Sequence, residues 1–149
     1  MRRNSKGFTL IELLIVVAII GIIAAIAIPN LLNAIDRGKQ KRSMADLRSI
    51  GTASEAYAVD NNFYPEGNLT AVEPFLEPIY IKAMPLTDGW NNAVVYLGAE
   101  GGVGYTVSSS GKDGTSNAGS WAGGMTNDFD CDIVFIEGQF VQWPEGMQQ

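Results

Sequence analysis

The sequence contains no histidine and one cysteine, Cys131. Without histidine the commonest acid–base side chain and the commonest transition-metal ligand are both absent, and neither a Ser–His nor a Cys–His pair can be built. A lone cysteine excludes an intrachain disulfide, so Cys131 reads as a small apolar residue of the interior. No catalytic constellation remains, and the chain is not read as an enzyme. Basic residues are also scarce in the later part of the chain. From Gly51 onward only Lys82 and Lys112 oppose 13 Asp or Glu, a net of −11. A nucleic-acid-binding domain needs a basic face, so nucleic acid is not expected as a partner. An acidic domain is soluble, and it could take up a hard cation.

The most prominent feature present is an apolar run. From Phe8 to Ile28 there are 21 residues whose clearly polar members are Thr9 and Glu12. As a helix this run is about long enough to cross a ~30 Å hydrocarbon core. A total of 149 residues therefore suggests one domain with an anchor. Arg2, Arg3 and Lys6 precede the run, as in a secretory signal, but no small-residue cleavage site follows it. The positive-inside rule places Met1–Gly7 on the cytoplasmic side and the rest of the domain outside. A second basic cluster, Arg37, Lys39, Lys41, Arg42 and Arg48, weakens that contrast between the flanks. A carboxylate at position 12 of such a segment is costly and points to a function; the bland alternative is a glutamate snorkelling to the headgroups.

The helix is expected to continue beyond the membrane. Pro29 lacks an N–H and should kink or locally melt it, with Gly21 a second weak point. Met44, Leu47, Ile50, Ala53 and Tyr57 then recur every three or four residues, the pattern of one buried helical face. The segment "DNNFYPEGN", residues 60–68, ends the helix. Residues 62–92 are irregular, with a short helix capped by Asn68 or Thr70. Strands are expected at 93–97, 105–109, 132–136 and 139–143, rich in β-branched and aromatic residues and bounded by glycine. Glu137-Gly138 would close the last two as a tight hairpin. The organisation is thus a basic N-terminal segment at 1–7, an apolar helix at 8–30, an amphipathic helix at 31–61, an irregular connection at 62–92 and a β head at 93–149 with a long acidic loop. The fold class is α+β, a long N-terminal α-helix packed on a small antiparallel sheet. Trp90, Tyr96, Trp121 and Trp143 read as core and loop packing, the ordinary role of aromatics.

In "DFDCDI" the carboxylates Asp128, Asp130 and Asp132 alternate, so in an extended chain they would share one face. Such a face is either solvated or bridged by a cation, and Asp113 in "GKDG" could join it. With oxygen ligands only, calcium is favoured over zinc. The spacing is not that of an EF-hand, because Ile133 and Gln139 stand where glycine and glutamate are required.

The stretch "KGFTLIELLIVVAIIGIIAAIAIPN", residues 6–30, resembles the class III signal and helix of type IV pilins and of the pseudopilins of type II secretion. "MADLRSIGTASEAYAVDNNFYP", "DGWNNAVVYLG", "SSSGKDG" and the late Asp-rich stretch are most similar to the major pseudopilin of type II secretion. The resemblance implies the pilin fold. It implies cleavage by prepilin peptidase between Gly7 and Phe8 and methylation of the new Phe8 amine. Glu12 would then meet the cationic Phe8 amine of a neighbouring copy and set the register of a helical filament, with Pro29 part of the assembly segment. It also implies calcium, with ligands among Ser110, Asp113, Asp128, Asp130 and Asp132. The implied partners are further copies of the chain, minor pilins or pseudopilins, prepilin peptidase, an inner-membrane assembly platform, and the membrane before assembly. The implied place is the bacterial inner membrane, with the head in the periplasm. The implied function is a structural subunit of the filament that drives protein export. The alternative is a surface type IV pilin for adhesion, motility or DNA uptake. One departure is local: where the family commonly has D-P-W-G-N-P, this chain has Asp88-Gly89-Trp90-Asn91-Asn92-Ala93.

Overall fold

The computed structural model describes residues 7–117 and 119–145. Most of the leader expected at Met1–Gly7 therefore lies outside the described residues. Contacts divide the chain into two compact units, Met1–Ile35 and Asp36–Gln149.

The first unit is the start of helix α1, which runs Leu10–Asn61. Local melting at Pro29 or Gly21 is not seen: the helix continues without a break through both. Proline removes one N–H from the ladder, and the side-chain amide of Asn30 adds a bond to the carbonyl of Ile26 (3.1 Å) in the same turn. The described residues hold one helix long and apolar enough to cross a membrane, and none of its apolar window is buried.

The second unit builds its core between the rest of α1 and a sheet. Leu47, Ile50, Ala53 and Tyr57 are buried there with Val72, Tyr96, Val107, Ile133 and Phe135, and Met44 packs against them half-buried. The periodicity read from the sequence is thus the buried face. Gly51 shares that face because nothing larger fits: a Cβ would lie 2.2 Å from the Phe135 ring. One turn on, Glu55 accepts from the hydroxyls of Tyr64 (3.0 Å) and Tyr105 (3.0 Å). Burial and the Glu55 charge push the Tyr105 hydroxyl far up from its ordinary pKa, and burial takes Tyr96 to about 12.

After α1 come β1 (Gly67–Asn68), α2 (Leu69–Leu76), β2 (Val95–Gly98), β3 (Tyr105–Ser109), β4 (Gly124–Thr126), β5 (Ile133–Ile136) and β6 (Gln139–Pro144). The short helix is capped as expected by Asn68, whose side chain accepts from the Ala71 N–H (3.0 Å). The described residues form one sheet in the order β1-β2-β3-β5-β6-β4. The expected strand at 93–97 starts as an isolated bridge, Thr87 to Ala93, and becomes a strand at Val95. Glu137 (φ 43°) and Gly138 (φ 87°) turn β5 into β6, because two successive left-handed residues match the twist of a two-residue hairpin.

Two strands depart from the expectation. β1 is two residues long. β4 lies inside the glycine-rich acidic loop and pairs parallel with β6, Met125 opposite Trp143, so the sheet is mostly rather than wholly antiparallel. Three residues without apolar alternation carry no strand signal of their own; the open edge of β6 supplies the pairing.

Candidate functional site

Gly7 and Phe8 precede the first helical residue, Leu10, and both are exposed. The peptide bond between them therefore lies in open, non-helical chain. Thr9 is the N-cap of α1. Its amide donates to Glu12 Oε2 (2.9 Å), its hydroxyl donates to the same oxygen (2.7 Å), and the Glu12 amide donates to Thr9 Oγ1 (3.3 Å). This is a capping box, T-x-x-E, which satisfies two of the orphan N–H groups at the helix start. The signal is legible in "TLIE", but the cost of the charge draws attention away from it. Glu12 Oε1 has no hydrogen bond among the described residues. One oxygen thus serves the fold of its own chain and the other is free for a cation from elsewhere. Pro29 is exposed within α1.

The acidic loop is tied to α1 by a set of charged and aromatic groups. Asp36, at the start of the second unit, accepts from Lys112 Nζ (2.9 Å) and Trp90 Nε1 (3.3 Å). Burial acts to raise the pKa of Asp36, but the bonds from Lys112 and Trp90 and the Lys112 charge outweigh it and hold it below the ordinary value. Lys112 also lies 5.9 Å from the Phe129 ring, and its amide bonds the Phe129 carbonyl (2.8 Å). Trp90 itself sits on a turn organised by buried Asp88, which accepts from the amides of Trp90 and Asn92 and from Ser109 Oγ. The departure from the family pattern is absorbed here. Asn91 takes the left-handed position (φ 72°) that glycine commonly fills, a conformation asparagine tolerates. Gly89 lies against the helix backbone, where a Cβ would be 2.1 Å from the Lys39 carbonyl oxygen.

The three alternating carboxylates do not form the face expected of an extended chain. Asp128 and Asp130 are exposed in a turn, Asp128 Oδ1 accepting the Asp130 amide (3.1 Å), whereas Asp132 is 1 % exposed. The turn, held by the Lys112–Phe129 bond, replaces the extended chain that alternation assumed, so the three carboxylates do not share a side. Asp113 is exposed and accepts the Thr115 amide (2.9 Å); Ser110 is buried. Among the described residues no three Cys, Asp or Glu side chains are grouped as a metal site. Asp132 remains distinctive. Its Oδ2 accepts from the Asn117 amide (2.8 Å) and Trp121 Nε1 (3.0 Å), and its Oδ1 is buried with no hydrogen-bond partner. A buried carboxylate oxygen left bare is costly and is the kind of atom a cation would satisfy. Trp90 and Trp121 thus lock loops, in line with the packing role expected of them. Cys131 is half-buried in the loop rather than part of the core, in the turn where its amide bonds the Asp128 carbonyl (3.4 Å).

Known proteins supply an independent line. Residues 2–28 match the family model of the prokaryotic N-terminal methylation motif, and residues 30–128 match that of type II secretion system protein G. The type II secretion system core protein G of Escherichia coli is 32% identical over 74% of this chain and 84% of its own length. That of Pseudomonas aeruginosa is 34% identical over 80% of this chain and 97% of its own length. The major component of the type IV wide pilus of Thermus thermophilus is 39% identical over 68% of this chain and 79% of its own length. No solved structure matches the chain at significance. The chain belongs to the type II secretion system protein G family.

The Asp36 contact gives a pH signature. Its folded pKa is depressed, so its stabilisation is present above the ordinary Asp value of about 4 and is lost as pH falls through the lower folded value. Asp36→Asn and Lys112→Met should lower the melting temperature of a soluble fragment, residues 33–149, at pH 7. The deficit should shrink toward pH 3, as followed by circular dichroism melts; an equal deficit at both pH values would assign the loss to packing instead.

Proposed function

We propose, from membership of that family, that the chain is a structural subunit of a type II secretion pseudopilus, a filament that drives protein export. The observation that carries this reading is the pairing of an exposed apolar helix with the N-terminal motif around Gly7, Phe8 and Glu12. The helix suits the inner membrane before assembly, with the head in the periplasm, and the interior of a filament afterwards. Prepilin peptidase would cut between Gly7 and Phe8, and the Phe8 amine, methylated but still cationic, would meet the free oxygen of Glu12 on a neighbouring copy. Minor pseudopilins and an inner-membrane assembly platform are the further partners. The acidic, histidine-free head has the character of a scaffold. Similarity to a wide-pilus component supports a second reading, a surface pilin.

Calcium is proposed as the ligand of the acidic loop, centred on Oδ1 of Asp132. Ser110, Asp113 and loop carbonyls would supply further oxygens, and Asp128 and Asp130 lie on the exposed rim. When bound, the ion would supply the positive charge that Oδ1 lacks. The residues of the chain would hold the loop's two ends together through Asp132, Trp121 and Asn117.

Three experiments test these statements. Shearing cells at native expression and analysing the fractions by mass spectrometry should find mature methyl-Phe8 protein confined to the envelope. Abundant methyl-Phe8 protein in the sheared fraction would favour the surface pilus, and uncleaved Met1–Gly7 would sink both readings. Glu12→Gln keeps the capping box but removes the charge, while Glu12→Ala removes both. Each should insert in the membrane yet fail to assemble in register, whereas normal filaments from the Gln variant would leave Glu12 only its capping role. For calcium, the 33–149 fragment should melt several degrees higher with calcium than with chelator, since a ligand of the folded state alone stabilises it. Asp132→Asn should abolish the difference, and an unchanged melt would return the loop to a solvated one.

A further inference from the structure

Beside α1 in the second unit lies an open groove of about 770 Å³. Its floor is apolar, with Met44, Ile81 and Phe140, and its rim carries Lys41, Arg48 and Lys82. All three cations are exposed, and Arg48 lies 5.3 Å above the Phe140 ring. Lys41 and Arg48 belong to the basic cluster on α1, and Lys82 is one of only two lysines from Gly51 onward. The ion pairs among the described residues are Arg42–Asp46 and Lys112–Asp36, so the groove cations pair with no anion among those residues.

The acidic loop offers the complementary surface. Edge strand β4 presents Met125, 63 % exposed, and this side chain lines one shallow depression with Asp128 and Cys131. Asp128 and Asp130 are exposed and enter no ion pair among the described residues. An exposed apolar side chain with carboxylates following it in the same loop thus complements an apolar floor rimmed by cations.

The two surfaces lie at different heights on α1. Lys112 fixes the loop at the level of Asp36, while the groove centres near Arg48, 12 residues on, about 18 Å at 1.5 Å per residue. We infer that the groove receives the Met125–Asp130 edge of a second copy of this chain, displaced along the helix axis. Because the two surfaces are distinct the contact is heterologous, and because each copy is displaced along the axis it repeats without closing into a ring, the form of contact a filament requires. The inference rests on the filament reading and supplies a contact between heads within it. The net acidity of every neighbouring head makes another copy the nearest source of paired carboxylates. The groove cations come from separate segments, Lys41 and Arg48 on α1 and Lys82 after α2, and they surround one apolar floor. That suits a protruding side chain better than a planar lipid surface.

Cys131, the lone cysteine, provides the probe. In cells that assemble the full-length protein, Ser49→Cys, which lines the groove and leaves its three cations intact, should give a ladder of disulfide-linked multimers on oxidation. Cys131→Ala should abolish the ladder, and Glu100→Cys, on the loop between β2 and β3, should not produce one. Lys41→Glu with Lys82→Glu should cut the assembled fraction about tenfold or more, as for charge pairs set at an interface. Adding Asp128→Lys and Asp130→Lys should restore it, a rescue that a metal-ligand role for those carboxylates would not allow. Filaments without the ladder or the rescue would overturn the pairing alone. Binding of the chain to anionic vesicles that is lost with the groove charges, without a ladder, would overturn it in favour of lipid. Absence of filaments from the parent protein would overturn the assembly reading together with it.

Discussion

The governing constraint is apolar surface that one chain cannot bury. Between Phe8 and Ile35, 17 large hydrophobic side chains are exposed. At roughly 1.5–3 kcal/mol for each side chain removed from water, their burial is worth on the order of 25–50 kcal/mol. A folded domain is stabilised by only about 5–15 kcal/mol. No rearrangement of the acidic head could offset that exposure, so the helix requires either hydrocarbon or other copies around it. The methylation motif at its start and the family match beyond it fit a chain that uses both in turn.

Glu12 is intelligible within that constraint. Helix starts leave N–H groups unpaired, and hydrocarbon offers them no water. The capping box answers part of this need with the Glu12 side chain. A neutral cap would satisfy the same amides, but it would leave no anion for an incoming amine. Local geometry explains its position three residues after Thr9, and a carboxylate also suits the positive end of the helix dipole; the proposed pairing with an incoming amine would use the same charge.

Much of the head was legible in the sequence. The 3.6-residue spacing of Met44, Leu47, Ile50, Ala53 and Tyr57 marked the buried face, β3 fell where β-branched and aromatic residues marked it, and Glu137-Gly138 is the hairpin its composition suggested. The failures share a cause. β4, the turn at Asp128–Asp130 and the position of Cys131 depend on partners far away in sequence: the edge of β6, the amide of Lys112 and the side chain of Gln142, which bonds the Asp132 carbonyl (2.8 Å). Alternation of residue types assumes an extended chain, and a single long-range bond is enough to replace that chain with a turn. At Pro29 the local melting expected as an alternative to a kink is not seen. Proline removes one bond, whereas continuity is a property of the surrounding turns, which the apolar helix supplies in abundance.

The same long-range ties explain why the acidic loop can be long without being loose. Asp88 organises the turn that carries Trp90; Trp90 and Lys112 meet on Asp36; Lys112 holds Phe129; and Asp132 closes on Asn117 and Trp121. Each step joins a segment of the loop region to a more rigid neighbour, ending on α1. A loop held in this way keeps its exposed carboxylates at a fixed height along the helix. If instead it were a freely solvated segment, its charges would repel one another and spread, and no defined surface would remain next to Met125. The order in the loop thus does not follow from its composition, which is glycine-rich and polar. It follows from two buried aspartates, Asp88 and Asp132, and the donors gathered around them. Of their four carboxylate oxygens, Oδ1 of Asp132 is the one still without a hydrogen-bond donor.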